Sequence, residues 1–269
     1  MDAALSARGS LCVGIDPHAA LLRDWGLNDD VAGLARFAAL CVEALGGVAA
    51  VVKPQSAFFE RFGAAGIAVL ERTVADCRAA GALVVLDVKR GDIGSTMAAY
   101  AQAYLNPSSP LAADAMTVSP FLGVGSLEPA FAAATEHGAG LFVLALTSNP
   151  QGPQFQHART AAGVSVAQTV IDELAGRNGA QQPMGSLGVV VGATIGASVA
   201  ELSRLNGPYL VPGIGAQGGT SDDVRRIFGT GVSNVVPSVS REVLRAGPDV
   251  KALRAAVARV GEQFTFLRR

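Results

Sequence analysis

Leu83-Val84-Val85-Leu86-Asp87-Val88-Lys89 is an apolar, β-branched run, and after Arg90-Gly91-Asp92-Ile93-Gly94 it gives way to the Ala-rich stretch Ser95 to Tyr104. Alternation does not explain the run, because nearly every position is apolar. That is the mark of a strand covered on both faces, and the spacing of the following stretch is helical. The unit therefore reads as a buried strand followed by a crossover helix, the repeating element of a parallel sheet.

Working outward, seven further short apolar runs bounded by Gly, Pro or Asp have the same character: Leu11 to Ile15, Ala49 to Lys53, Ala115 to Ser119, Gly140 to Leu146, Leu187 to Val191, Tyr209 to Val211 and Asn234 to Pro237. Helical stretches fall at Val31 to Leu45, Ile67 to Ala80, Leu127 to His137, Ala161 to Gly176, Ala197 to Leu205, Asp222 to Phe228 and Asp249 to Phe264. Eight consecutive strand–helix units with no break in composition predict a (β/α)8 TIM barrel, an α/β fold, as one domain over residues 1–269. An open doubly wound sheet is the alternative, since it is also built from alternating strands and helices. The stretch Gly176 to Gly185 is expected to be a surface loop.

The chain is half hydrophobic and 16% charged, with a net charge of −1, so it has enough apolar material for a large core and no basic footprint for nucleic acid. Its apolar runs all fall short of the roughly 18 to 20 residues of a membrane span, and Met1 to Ser10 lacks the pattern of a secretory signal. A cytoplasmic protein acting on a small molecule, with neither nucleic acid nor membrane as partner, is the expectation. Cys12, Cys41 and Cys77, and likewise His18, His137 and His157, lack metal-ligand spacing. No metal and no cofactor is expected, the cysteines read as core, and the histidines read as surface or loop residues. No nucleophile elbow for serine catalysis stands between a strand and a helix either.

Only three of the 21 basic residues are lysines, and two of them, Lys53 and Lys89, close apolar strands. Lysine offers a compact ammonium that can give up a proton, which a guanidinium cannot do. In a βα barrel the strand C-termini form the active-site face, so the polar residues closing strands are the ones to weigh. Asp16 closes the first strand ahead of Pro17, and Lys53 closes the second. Asp87 and Lys89 stand two apart on one face of the third, and Asp92 follows in the Gly91 turn. The four residues Lys53, Asp87, Lys89 and Asp92 form a set of alternating charge, for which a purely structural salt-bridge cluster is the competing reading. Thr147-Ser148-Asn149-Pro150 ends the fifth strand with groups able to read a polar ring edge or to make a local turn. Pro212-Gly213-Ile214-Gly215-Ala216-Gln217-Gly218-Gly219 and Ser240-Arg241 follow strands seven and eight, where barrels commonly bind phosphate.

The run Asp87-Val88-Lys89-Arg90-Gly91-Asp92-Ile93-Gly94-Ser95-Thr96 resembles the Asp-x-Lys-x-x-Asp signature of orotidine 5'-phosphate decarboxylases. Gly14-Ile15-Asp16, Lys53, Thr147 to Pro150, Pro212 to Gly219 and Ser240-Arg241 match in the family's order, so the resemblance spans residues 11 to about 245. Thr117 to Gly123, Asn149 and Val191 to Thr194 look like the longer bacterial branch typified by mycobacterial enzymes. Ser119, where Asn is commoner, and Ile195-Gly196, where a Pro is commoner, depart from it.

This resemblance implies decarboxylation of orotidine 5'-monophosphate to UMP, the final step of de novo UMP synthesis, without a cofactor. Lys89 would protonate C6, Asp87 would lie beside the departing carboxylate, and Lys53 would orient Asp87 and contact the ribose. Asp16 would bind ribose hydroxyls and Ser148 the pyrimidine, while Gln217 and Arg241 would take the phosphate, with Pro212 and Gly218 also in the substrate site. Asp92, Ile93 and Thr96 would enter a neighbouring subunit's site, which implies a homodimer with shared active sites. The loop from Asn149 to Arg159 is a candidate lid. A Mg-dependent sugar-phosphate decarboxylase or hexulose-phosphate synthase of the same superfamily is the nearest rival, and a non-catalytic phospho-ligand-binding barrel a more remote one. The former needs a rim carboxylate near strand two, where this chain has Lys53-Pro54-Gln55.

Overall fold

The computed structural model describes residues 1–195, 200–230 and 232–267. Eight parallel strands close into a barrel in sequence order: β1 (Cys12–Ile15), β2 (Val51–Pro54), β3 (Leu83–Arg90), β4 (Ala115–Val118), β5 (Gly140–Leu146), β6 (Leu187–Val191), β7 (Tyr209–Val211) and β8 (Val235–Val239). β8 returns to β1 through the pairs Cys12↔Ser238 and Val13↔Val239. All eight expected strands are present, and closure rules out the open doubly wound sheet.

The side-chain period of two divides each strand between the helical layer and the barrel interior. Inward positions change character along the strand. Near the base they are Cys12, Val51, Val85, Ala115, Phe142 and Val236, which pack as one apolar cluster with Leu5 from the helix Asp2–Arg8. Two residues further along, the same faces carry Gly14, Lys53, Asp87, Thr117, Leu144 and Ser238. The barrel is thus a packed apolar plug below and a polar mouth above, the usual division between stability and function in this architecture. All three cysteines are free and buried, and burial pushes the Cys12 thiol up to about 12, so it serves as core.

Between strands lie the helices Val31–Leu45, Gly63–Ala79, Gly94–Leu105, Glu128–His137, Val166–Asn178 and Ser221–Phe228, and Val250–Glu262 follows β8. Their starts are chemically marked: the side chains of Asp30, Ser165 and Asp249 accept N-terminal amide hydrogens, and Thr220 and Asp223 form a reciprocal capping box. No described helix is long and apolar enough to cross a membrane.

Two helical expectations need correction. The stretch expected to be helical from Ala161 begins its helix only at Val166, because Gly163 sits at φ +78, a left-handed conformation that ends any helical run. Of the expected helix Ala197 to Leu205, residues 197–199 lie outside the described part, as does Gly196, and 200–205 form a turn with no helix. The apolar spacing of Leu202 and Leu205 is real, since both are buried. The backbone there is satisfied by a side chain instead: Gln168 accepts from Glu201 N (2.6 Å) and donates to Glu201 O (3.3 Å). The loop expected from Gly176 is likewise shortened by the helix reaching Asn178.

Asn178 is buried and fully used. Its Nδ2 donates to the carbonyls of Leu187 and Leu205, both at 2.8 Å, and its Oδ1 accepts from Leu187 N at 3.2 Å. Truncating it orphans three buried backbone groups, so Asn178→Ala is expected to cost about 2–4 kcal/mol. Guanidinium unfolding checks this, and a shift under about 0.5 kcal/mol would contradict the assignment.

Candidate active site

The polar mouth opens into a cavity of about 650 Å³ that reaches Asp16, Lys53, Asp87, Lys89, Ser148, Pro212, Gln217 and Arg241. These eight expected site residues come from the ends of β1, β2, β3, β5, β7 and β8. The other four, Asp92, Ile93, Thr96 and Gly218, do not line it.

At the centre is Asp87, which is buried and carries two ammonium groups. Lys53 Nζ lies 3.0 Å from its Oδ2, and Lys89 Nζ lies 2.6 Å from its Oδ1. Burial pushes the Asp87 carboxyl up, but Lys53 and Lys89 more than offset this and hold it well below the usual carboxylate range. Burial likewise pulls Lys53 down, and the negative charges of Asp87 and Asp16 outweigh it and hold the ammonium above its ordinary value. The site is therefore a fixed ionic triad, one carboxylate held between two ammonium groups. Lys53 is its buried ammonium, whereas the Lys89 side chain is 46% exposed within one chain. The expected set of four alternating charges is not assembled by a single chain: Asp92 turns away and accepts from Ile93 N at 2.8 Å.

The contact between Asp87 and Lys89 does not arise from simple alternation. β3 pairs with β4 through Leu86↔Met116 and then Arg90↔Val118, so Asp87, Val88 and Lys89 together stand opposite Thr117 alone. This is a bulge, and Lys89 absorbs it at φ +45, a conformation that costs a residue with a Cβ about 1–2 kcal/mol. The Thr117 hydroxyl takes over the missing ladder bonds: it accepts from Val88 N (3.0 Å) and Lys89 N (2.9 Å) and donates to Asp87 Oδ1 (2.8 Å). Beyond the bulge the chain passes close to β4 at Gly91, where a Cβ would sit 2.4 Å from Ser119 O. That turn directs Asp92, Ile93 and Thr96 away from the cavity, and Ile93 is 62% exposed.

The remaining wall is supplied by loops. After β7 the chain folds back on itself through Gly219 N to Gly213 O (3.0 Å) and Gly215 N to Gly219 O (2.8 Å). This holds Gln217 over the cavity, where Ser148 Oγ donates to Gln217 Oε1 at 2.8 Å. Gly218 serves this turn instead of the wall, its N–H donating to Gly215 O at 2.8 Å. The Asn149 to Arg159 loop contains the short helix Pro153–Gln156, and Gln156 ties its base to Thr147 through bonds of 2.9 and 2.6 Å.

Sequence reasoning passed over Thr117, His18 and Phe58 as site residues, and all three reach the cavity, as does Ser240 beside Arg241. Parity would have found Thr117, which is the last inward residue of β4. His18, expected at the surface or in a loop, follows β1 outside any helix or strand and packs on Phe58 at 4.2 Å; partial burial lowers its pKa despite Asp16. Asp16 Oδ1 and Ser240 Oγ are buried and have no hydrogen-bond partner among the described residues, and both residues line the cavity.

Comparison with known proteins agrees with this geometry. A family model described as "Orotidine 5'-phosphate decarboxylase / HUMPS family" matches residues 9–256. A Salinispora arenicola orotidine 5'-phosphate decarboxylase is 63% identical over 257 residues, covering 96% of this chain and 92% of that protein. One from Streptomyces coelicolor is 62% identical, with 95% and 92% covered. Among solved structures, a Streptomyces avermitilis chain assigned as an orotidine 5'-phosphate decarboxylase superposes with TM-score 0.96 at 62% identity, covering 99% of this chain and 93% of that one. A Leishmania donovani OMP decarboxylase gives 0.75 at 30% identity, with 99% and 97% covered.

The triad sets a pH window for stability. Asp87 titrates below its unfolded value, so its contribution is complete above about pH 4 and is lost as pH falls toward its folded value. Lys53 titrates above its unfolded value, so its contribution is complete below about pH 10 and is lost as pH rises further. Denaturant midpoints of the wild type and of a Lys53→Met/Asp87→Asn double variant are expected to keep a constant difference between these limits. That difference should move against the wild type outside them, and a difference drifting between pH 5 and 9 would contradict the charge assignment.

Proposed function

The chain belongs to the orotidine 5'-phosphate decarboxylase / HUMPS family, and from that membership we infer that it converts orotidine 5'-monophosphate to UMP and CO2, the last step of de novo UMP synthesis. The observation that carries the mechanism is the Asp87 carboxylate held between two ammonium groups at the floor of the cavity. As the C6–carboxylate bond breaks, its electron pair stays on C6, and the pyrimidine ring cannot spread that charge. A fixed ammonium beside C6 stabilises the developing carbanion and then supplies the proton that makes the C6–H bond of UMP. Lys89 is assigned this role: its Nζ reaches the cavity, and Asp87 fixes its position. The neutral amine recovers its proton from solvent.

Lys53 is the buried counter-charge that keeps Asp87 ionised, and from this place it also contacts the ribose. Asp16, with an unpartnered buried oxygen, binds the ribose hydroxyls. Ser148 reads the pyrimidine, with Pro212 beside it, and Gln217 and Arg241 at the β7–β8 side hold the phosphate. Binding energy from the phosphate is remote from the broken bond and is available to close the 149–159 loop and position C6.

Asp92, Ile93 and Thr96 act in the site of a second copy, making a homodimer with shared active sites. Three observations support this: they lie outside their own chain's cavity, Ile93 is exposed, and Lys89 is left half open to the surroundings. Residues 1–269 work as a single barrel domain, in the cytoplasm. The Mg-dependent sugar-phosphate reading is disfavoured at β2: Glu60, the first carboxylate after that strand, is paired with Arg90 at 2.6 Å and does not reach the cavity.

Two measurements test this reading. Pure protein in EDTA is expected to consume the orotidylate absorbance and yield UMP, whereas turnover that requires added Mg2+ would point to the sugar-phosphate branch. Lys89→Ala is expected to lower CO2 release by about 1,000-fold or more while UMP still binds. Near-normal turnover by that variant would remove Lys89 from the role of acid.

A further inference from the structure

We propose that Thr117 is a positioning residue for the decarboxylation, its one hydroxyl fixing both the Lys89 backbone and the Asp87 carboxylate. The inference rests on the reading of Lys89 as the acid, and it extends that reading to a residue on a different strand.

A threonine hydroxyl has one hydrogen to donate and two lone pairs to accept with. At Thr117 all three are used, toward three consecutive residues of β3: the hydrogen goes to Asp87 Oδ1, and the lone pairs take the N–H groups of Val88 and Lys89. The side chain is almost wholly buried, so water does not substitute for it from the surface. Both oxygens of Asp87 are thereby committed. Oδ2 meets Lys53, and Oδ1 meets Lys89 Nζ and the Thr117 hydroxyl together.

The bulge makes this arrangement necessary. Three residues of β3 face one residue of β4, and no backbone carbonyl is in register to receive the amides of Val88 and Lys89. Lys89 in addition holds a left-handed φ, which a residue with a Cβ keeps only when its surroundings impose it. The Thr117 hydroxyl is the imposed contact on the Lys89 amide, and the short reach from Lys89 Nζ to Asp87 depends on that backbone geometry. Thr117 therefore acts through Asp87 and Lys89, whereas substrate affinity is set mainly at the distant phosphate end.

Thr117→Val keeps the shape of the side chain and removes the hydroxyl. It is expected to lower kcat about 10- to 100-fold, the scale of losing a hydrogen bond to a charged group together with bonds to two buried amides. KM and the Kd for UMP are expected to stay within about threefold of the wild type. Thr117→Ser keeps the hydroxyl and is expected to recover kcat to within about threefold. Should the valine variant fail to fold, Thr117→Cys, a poor acceptor of similar size, is compared with Thr117→Ser in the same assay. A wild type inert toward orotidine 5'-monophosphate sinks the functional reading and this inference with it. An active wild type sinks the inference alone if the valine or cysteine variant matches its kcat, or if KM and the Kd for UMP rise by as large a factor as kcat falls.

Discussion

A carboxylate as buried as Asp87 is tolerated only where its charge is matched, and the matching comes from two lysines, one on each of two adjacent strands. Lys53 arrives from β2, Lys89 from the same strand, and the hydroxyl that completes the shell from β4. All depend on barrel register. Lys53, Asp87 and Thr117 are inward because Val51, Val85 and Ala115, two residues earlier, are inward in the apolar plug. A slip of one residue in any of these strands would turn a charge or the Thr117 hydroxyl into the helical layer and an apolar side chain into the mouth. The packing that fixes the register therefore also fixes the charge arrangement.

The base of the barrel carries the stability that the mouth gives up. Leu5 closes the lower end, and Arg8 at the end of the same helix reaches the carbonyls of Gly46, Ala49 and Gly81, binding the N-terminal segment to the loops that enter β2 and β3. The rigid floor makes a bulged, left-handed turn at Lys89 sustainable, since the strain there is small beside the burial beneath it. Farther out, Glu60 and Tyr104 hold the Arg90 side chain at 2.6 and 3.3 Å, so the residue following Lys89 is fastened as well. Lys89 is thus strained between two secured neighbours, an arrangement suited to aiming one ammonium at one atom.

The strands and most site residues were legible in the sequence for one reason. A parallel barrel strand is a short apolar run, and whatever polar residue ends it stands at the mouth; Asp16, Lys53, Asp87 and Lys89 were found that way. Parity places Thr117 in the mouth, but its part is a tertiary one: threonine is common in strands, and nothing local shows that three residues of the neighbouring β3 will crowd against it. His18 escaped because its burial depends on Phe58, from the short helix Ala57–Glu60 that follows β2. The turn at 200–205 was misread because helical spacing in Leu202 and Leu205 records burial alone, and the hydrogen bonds that decide the backbone come from Gln168.

The segment from Asp87 to Thr96 sends its two halves in different directions, and the cause is steric. Gly91 passes so close to the Ser119 carbonyl that any side chain would separate β3 from the loop after β4. Close passage there lets the chain leave the barrel mouth at once, so Asp92 and Ile93 emerge beside the cavity and face outward. A larger residue at 91 would push the loop off β4 and disturb two things together: the outward course of Asp92 and Ile93, and the pairing of Arg90 with Val118 that closes the bulge. The ammonium at the mouth and the outward carboxylate are therefore coupled through one glycine. Under the dimer reading, a single local constraint sets both the chain's own site and what it offers to its partner.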